Sequence, residues 1–410
     1  MNKQDRSSIP TDAVAASLRR GVGRANTATQ RRIYSAVRAG LIGLTSLIFT
    51  SACAPALFAE TKPPPPKSRI EVVFVLDTTG SMGGLIEGAK QKIWAIANDM
   101  ISAKPTPELK VGLVGYRDRG DEYVVRPFAL TDDIDAMYGH LRAFEAGGGG
   151  DTPESVNEAL EEAINKMKWS DDRDVLKIVF LVGDAPPHMD YANGPKYPDL
   201  CRAAAKKDLI INTVQCGSIG ETAPIWKEIA KLSEGSYVAI AQSGNMSVVS
   251  TPMDDKLSEL NKRMGETLIP YGTAEVRRGV GVKQAAAESA PAPAAADRLS
   301  YNARTKKSVQ GAGELLDALA SNELKREDVN QKNLPSELQK LSPEELDARI
   351  AKGGKDRAAL QKEIEEVAEK RATYIADETK RLAAAGKGDG FDEKVAQTIR
   401  KQAEKKGIHY

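Results

Sequence analysis

From Ile70 onward the chain alternates short apolar runs with longer amphipathic stretches. The run "IEVVFVL" is almost continuously apolar, as a strand buried on both faces of a parallel sheet requires. Leu85 to Ile101 then places Ile86, Ala89, Ile93, Ile96, Ala97 and Met100 at helical spacing. "LKVGLVGYR" from Leu109 and "EYVVRPFAL" from Glu122 predict two strands joined through "DRGD" as a hairpin. Beyond them the pattern predicts helices over 132–144 and 153–169, a strand over 175–182 and a helix over 199–207. A strand over 209–214, a helix over 222–232 and a strand over 236–240 complete the series. This alternation specifies an α/β fold, a doubly wound and mostly parallel sheet with helices on both faces. Ligands of such a sheet bind in the crevice outside the carboxyl ends of its strands.

A trailing helix over 254–268 closes this domain, which spans residues 69–270. Residues 271–298 contain "QAAAESAPAPAAAD" and read as an Ala/Pro linker. Residues 299–410 are rich in Lys, Glu and Ala and predict a small helical region. In "LSPEEL", Ser342 can cap a helix, Pro343 opens its first turn and Glu345 can complete a capping box. Leu360, Ile364, Val367 and Tyr374 fall along one helical face, and Phe391, Val395 and Ile399 along another. Such stripes suit helix packing, as a hairpin or against a second protein.

Composition changes this picture only at the N-terminus. The 410 residues are 41% hydrophobic and 28% charged with a formal net charge of +1, which gives no footing for nucleic-acid binding. Residues 1–38, however, carry Lys3, Arg6, Arg19, Arg20, Arg24, Arg31, Arg32 and Arg38 against only Asp5 and Asp12. Residues 39–59 then hold no ionisable group except Cys53, so residues 1–60 read as a basic region followed by an export signal or membrane anchor. Three forms stay open: cleavage near Ala56 or Ala59, lipidation of Cys53, or an uncleaved anchor, since ~21 uncharged residues can just span a bilayer. The paired arginines of "TQRRIY" agree poorly with a twin-arginine signal otherwise. All three forms place the rest of the chain outside the cytoplasm, periplasmic or secreted or held at the membrane. "TKPPPPKS", residues 61–68, reads as an extended stalk.

The candidate chemistry begins where the first strand ends. "LDTTGS" sets Asp77, Thr79 and Ser81 on the turn leaving the carboxyl end of that strand, and convergent hard oxygens of this kind suit a divalent cation. "GGGGDTPES" brings Thr152 toward a helix N-terminus, and "IVFLVGDAPP" ends another buried strand in Asp184. Taken alone, Thr152 reads as an N-cap and Asp184 as a turn residue. In the wound sheet both reach the same crevice.

These residues resemble the metal-ion-dependent adhesion site of the von Willebrand factor A domain of bacterial type, over about residues 68–250. The family pattern D-x-S-x-S, a distant Thr and a distant Asp meets "DTTGS", "GGGDTPE" and "VGDAPP", with Thr79 in place of the first serine. The resemblance implies Asp77, Thr79, Ser81, Thr152 and Asp184 as ligands of Mg2+, or of Mn2+ in its place. It further implies that the ion accepts a Glu or Asp from a partner protein, so that the chain binds rather than catalyses, and, being to the bacterial type, it implies a bacterial cell envelope as the location. A regulatory subunit of an envelope enzyme complex, or an enzyme of unknown reaction, is the alternative.

Smaller signals remain. Cys201 and Cys216 flank the strand over 209–214 and read either as a disulfide or as two buried thiols. His140, His188 and His409 have no spacing that supports a zinc site. His188, shortly after Asp184, reads as a partly exposed loop residue, or less simply as a general base. "RGD" at 119–121 reads as a polar turn. No catalytic triad order, "HExxH" or phosphate-binding glycine loop occurs.

Overall fold

A computed structural model of the chain describes residues 67–246, 248–385 and 390–410. The candidate signal over 39–59, Cys53 and most of the proline stalk lie outside the described residues. Among those described, no helix is long and apolar enough to cross a membrane.

The sheet has six strands in the order β3-β2-β1-β4-β5-β6, with β1 spanning Arg69–Asp77, β2 Glu108–Tyr116, β3 Val125–Thr131, β4 Leu176–Gly183, β5 Leu209–Cys216 and β6 Tyr237–Ile240. All pairings are parallel except the β2–β3 hairpin. Because β1 lies between β2 and β4, connections leave it in both directions, and the crevice of such a switch point opens at the carboxyl ends of β1 and β4. That is where Asp77 and Asp184 stand.

Side chains divide between the faces with period two. Val72 and Leu76 of β1, Val111 of β2, Ile178 of β4 and Cys216 of β5 enter one core; Val73, Val75, Val114, Val179 and Ile211 enter the other. The first face is covered by α1 (Gly83–Met100) and α2 (Ile134–Arg142), the second by α3 (Val156–Glu161), α4 (Tyr197–Lys206) and α5 (Thr222–Leu232). The expected helix over 153–169 starts later, at Val156, and widens into a π-helical turn over Glu162–Lys166. Cys201 lies in the core beneath α4 and Cys216 in the opposite one, so the sheet separates them and both are free thiols. The disulfide reading is thereby corrected: proximity to one sheet edge does not place two side chains on one face.

Beyond β6 the described residues form helices joined by loops and short 3-10 turns. The helices are α6 (Asp254–Glu266), α7 (Ala274–Glu288), α8 (Ala292–Thr305), α9 (Leu315–Ala320), α10 (Pro343–Ala384) and α11 (Phe391–Glu404). The expected linker over 271–298 is instead α7 and the start of α8, because its alanines favour helix and its prolines fall at or just before the first turn of α8. Ser342 and Glu345 form the expected capping box of α10. Two buried arginines, Arg298 and Arg371, and the partly buried Arg357 fasten these helices. Arg298 of α8 grips Asp135 of α2 at 2.7 and 2.9 Å, Arg371 of α10 donates to Asp254 of α6 at 2.7 Å, and Arg357 of α10 donates to Glu314 at 2.7 Å.

The last helix belongs to the sheet rather than to a separate module. Phe391, Val395, Ile399 and Ala403 enter the first core, Phe391 tilts against Phe74 at 6.3 Å, and Gln402 exchanges amide hydrogen bonds with buried Asn212 at 2.8 and 3.0 Å. Truncating a buried phenylalanine typically costs about 3–5 kcal/mol. Phe391→Ala is therefore expected to lower the urea midpoint of the whole domain in one transition; a separate early transition confined to the C-terminal helices would show that α11 is an independent unit.

Candidate metal centre

The turn after β1 is built around Asp77, whose side chain is fully buried. Its Oδ1 accepts the Thr79 backbone N–H at 2.9 Å and the Thr79 hydroxyl at 2.6 Å, and Thr79 Oγ1 lies 3.3 Å from Ser81 Oγ. A hydroxyl that donates to a carboxylate keeps its lone pairs free for a cation. Asp77 Oδ2 has no hydrogen-bond partner. Burial, with the nearby Asp184 charge, raises the Asp77 carboxyl to about 7 against the lowering effect of the Thr79 hydrogen bonds.

Asp184 comes from the loop after β4 and is buried as well. Gln242 Nε2 donates to Asp184 Oδ2 at 2.8 Å, and the Thr222 hydroxyl donates to the Asp184 carbonyl at 2.7 Å. Between the two carboxylates, Gly183 supplies room. A Cβ there would collide with the Tyr116 hydroxyl and stand 3.0 Å from Asp77 Oδ2. The Tyr116 hydroxyl is also buried without a partner.

The glycine loop closes the third side. Gly80 N–H donates to the Gly148 carbonyl at 3.3 Å, and Gly149 N–H donates to Asp121 Oδ2 at 3.1 Å. Gly148 and Gly149 have φ of +76° and +82°, and a Cβ on Gly149 would lie 3.2 Å from the Thr79 Cβ and 3.3 Å from Glu154 Oε1. Glycine is thus required by both backbone and space.

Asp77, Thr79 and Ser81 share one turn, and Gln242 Nε2 links it to Asp184 by donating to the Ser81 carbonyl at 3.3 Å and to Asp184 Oδ2. Ser81 and, in the glycine loop, Thr152 are both exposed, and among the described residues no hydrogen bond ties the Thr152 side chain to this turn. The group that this loop turns inward is Glu154, 3% exposed, with Oε2 buried and unpartnered. A strand-like bridge to Pro187 holds it, with Glu154 N–H donating to the Pro186 carbonyl at 2.9 Å and its own carbonyl accepting from His188 N–H at 3.1 Å. Burial first, then Asp77, Asp118, Asp121 and Asp184, push the Glu154 carboxyl up to about 9. The only advance sign of Glu154 was its place two residues after Thr152, where a first-turn acid reads as ordinary helix capping.

"RGD" folds into the same rim, with Arg119 and Gly120 exposed and Asp121 half-buried. Arg119 pairs with Glu158 at 2.6 Å and covers the Tyr191 ring, while Asp121 accepts from Asp118 N–H and Gly149 N–H.

The donor set fits a hard divalent cation: two buried carboxylates, two hydroxyls, and orphaned buried oxygens with no donor among the described residues. The sequence profile of the von Willebrand factor A domain matches residues 71–251, and this segment of the chain is a von Willebrand factor A domain. Von Willebrand factor A domain-containing protein 7 of Mus musculus is 38% identical over 114 residues, and that of Homo sapiens 33% over 114, each match covering 28% of this chain. An ariadne-like RING finger protein of Acanthamoeba polyphaga mimivirus is 27% identical over 119 residues, 29% of this chain. The chain spans only 11–12% of the length of these relatives. Among solved structures, the SpRpn10 VWA domain shares 16% identity with a TM-score of 0.34, covering 44% of this chain and 95% of that one. Proximal thread matrix protein 1 of the mussel byssus shares 16% with a TM-score of 0.32, covering 43% and 42%.

Glu154 yields a test. Its raised carboxyl stabilises the metal-free fold while protonated, a contribution present below about pH 4.5 and lost as pH rises to about 9. In EDTA, Glu154→Gln is expected to match the wild type in urea unfolding at pH 4 and to exceed it at pH 9. Equal stability at both pH values would mean that Glu154 does not feel the neighbouring carboxylates.

Proposed function

We propose that this chain is an exported cell-envelope protein whose A domain captures an acidic side chain of a partner protein through a divalent cation. A von Willebrand factor A domain is a protein-interaction or adhesion module. The finer reading is carried by Asp77 Oδ2, a buried carboxylate oxygen with no donor, set beside the Thr79 and Ser81 hydroxyls at the carboxyl edge of the sheet.

Asp77 and Asp184 supply the negative charge that holds the ion, and the oxygen-only set suits Mg2+, with Mn2+ able to replace it. When bound, the ion offers a carboxylate an electrophilic coordination position. Thr79 and Ser81 contribute neutral oxygens, which leave that electrophilicity largely intact. Gln242 orients Asp184 by donating to its Oδ2, and the glycine loop lets the rim lie close against Thr79. Nothing in this reading requires a chemical step. The uncharged segment over 39–59 behind a basic flank supports export, and the partner would then be another envelope protein.

Thermal unfolding with and without millimolar Mg2+ tests the reading. Ligand at 100-fold over its dissociation constant stabilises by about 2.7 kcal/mol, so a rise of several degrees is expected at pH 8. At pH 5 the rise should shrink, because Asp77, raised to about 7, is protonated there and the proton competes with the ion. Asp77→Asn should abolish the Mg2+ response while staying at least as stable as the wild type in EDTA at pH 8, since it removes an uncompensated buried charge. An unchanged Mg2+ response in Asp77→Asn would refute the site. Partner capture from an envelope extract should likewise depend on Mg2+ and be lost in EDTA.

A further inference from the structure

A second cluster lies on the same rim, and none of its donors belongs to the site above. His188, which has no metal-binding spacing in the sequence, is 5% exposed in the loop that follows Asp184. Its Nε2 is buried and without a hydrogen-bond partner, 3.3 Å from Asp118 Oδ2 and 3.8 Å from Asp151 Oδ2. The three donor atoms lie within 4.8 Å of one another. We propose that Asp118, Asp151 and His188 form a second metal site, selective for a borderline divalent transition ion of the zinc class.

The hydrogen bonding around the ring argues for a cation there. His188 Nδ1 lies 2.8 Å from Asp190 Oδ1, which is an acceptor, so the ring proton belongs on Nδ1 and the Nε2 lone pair faces two further acceptors. Three acceptors face to face repel one another unless a positive charge stands between them. A carboxylate on the far nitrogen of a histidine is also the usual outer partner of a metal-bound imidazole, fixing its tautomer and raising its basicity. Ligands ~2.0–2.2 Å from a tetrahedral ion stand about 3.3–3.6 Å apart, close to the two separations seen.

The surroundings hold these donors in place. The His188 ring stacks on Tyr191 with centroids 4.1 Å apart, and the His188 carbonyl accepts from Asn157 Nδ2 at 2.7 Å. Asp118 accepts the Ser155 hydroxyl at 2.8 Å and the Tyr191 hydroxyl at 2.9 and 3.0 Å, which orients its carboxylate. Asp151 has a side chain 62% exposed, so one side of the cluster opens to solvent and leaves a coordination position for water or a ligand. The nitrogen donor sets this site apart from the oxygen-only one: imidazole suits zinc-class ions and disfavours magnesium.

The test is calorimetric titration of the chelator-stripped full chain with Zn2+, in millimolar Mg2+ to occupy the oxygen site. The wild type is expected to bind one Zn2+ per chain. His188→Gln and Asp151→Asn should each weaken binding at least ~10-fold, and Asp190→Asn about 10-fold as an outer partner. Asp77→Asn should leave Zn2+ binding unchanged, which keeps the two sites distinguishable. Because Asp151 is exposed, Asp151→Asn reports on the ion even if His188→Gln fails to fold. The proposal is overturned if Zn2+ binding survives both variants, or if it disappears with Asp77→Asn or with excess Mg2+. It is equally overturned if the wild type binds no Zn2+.

Discussion

The carboxyl edge of this sheet is governed by one constraint, the burial of several carboxylates without cationic side chains to match. Asp77, Asp118, Glu154 and Asp184 are each no more than 6% exposed. The two arginines nearest in sequence are engaged elsewhere: Arg117 donates to the Thr78 and Glu145 carbonyls, and Arg119 pairs with Glu158. Without an ion, the chain can relieve the repulsion only by keeping protons on Asp77 and Glu154, which is why burial raises both carboxyl groups. A divalent cation resolves the same conflict without protonation. Hydroxyl donors, glycine loop and the unpartnered oxygens all become intelligible once that charge is supplied.

Much of this was legible in the sequence because the sheet is buried on both faces. Continuous apolar runs marked β1, β4 and β5, and the polar residues ending β1 and β4 fell where a wound sheet gathers them. Asp77, Thr79, Ser81 and Asp184 could be named because each sits within a few residues of a strand end. Glu154 and Asp151 could not, since their approach depends on how the glycine loop folds over the edge; Asp118 stands two residues past β2 but read as part of the "DRGD" turn. The loop also sets apart residues two positions from each other, with Glu154 buried and Thr152 open to solvent, a difference that no strand end fixes in the sequence. His188 likewise looked isolated, because its partners are distant in sequence.

The C-terminal half was harder to read for a different reason. Alanine with proline suits both a flexible linker and a helix with proline at its start, and only packing chooses between them. Here Ala294, Ala295 and Ala296 are buried in α8, and Arg298 a turn later finds Asp135. The apolar stripe of Phe391, Val395 and Ile399 was correctly a packing face, but its partner is the sheet itself. That docking also reaches the rim of the site. Phe391 N–H donates to the Gly244 carbonyl at 2.9 Å, on the same loop whose Gln242 donates to Asp184.

The most direct measurement is a crystal of this protein grown with Mn2+, with anomalous differences recorded at the manganese edge. The account predicts a peak within coordination distance of Asp77, Thr79, Ser81 and Asp184, without displacement of β1 or β4. A well-ordered site with no anomalous peak, or a peak that does not touch Asp77, would contradict it.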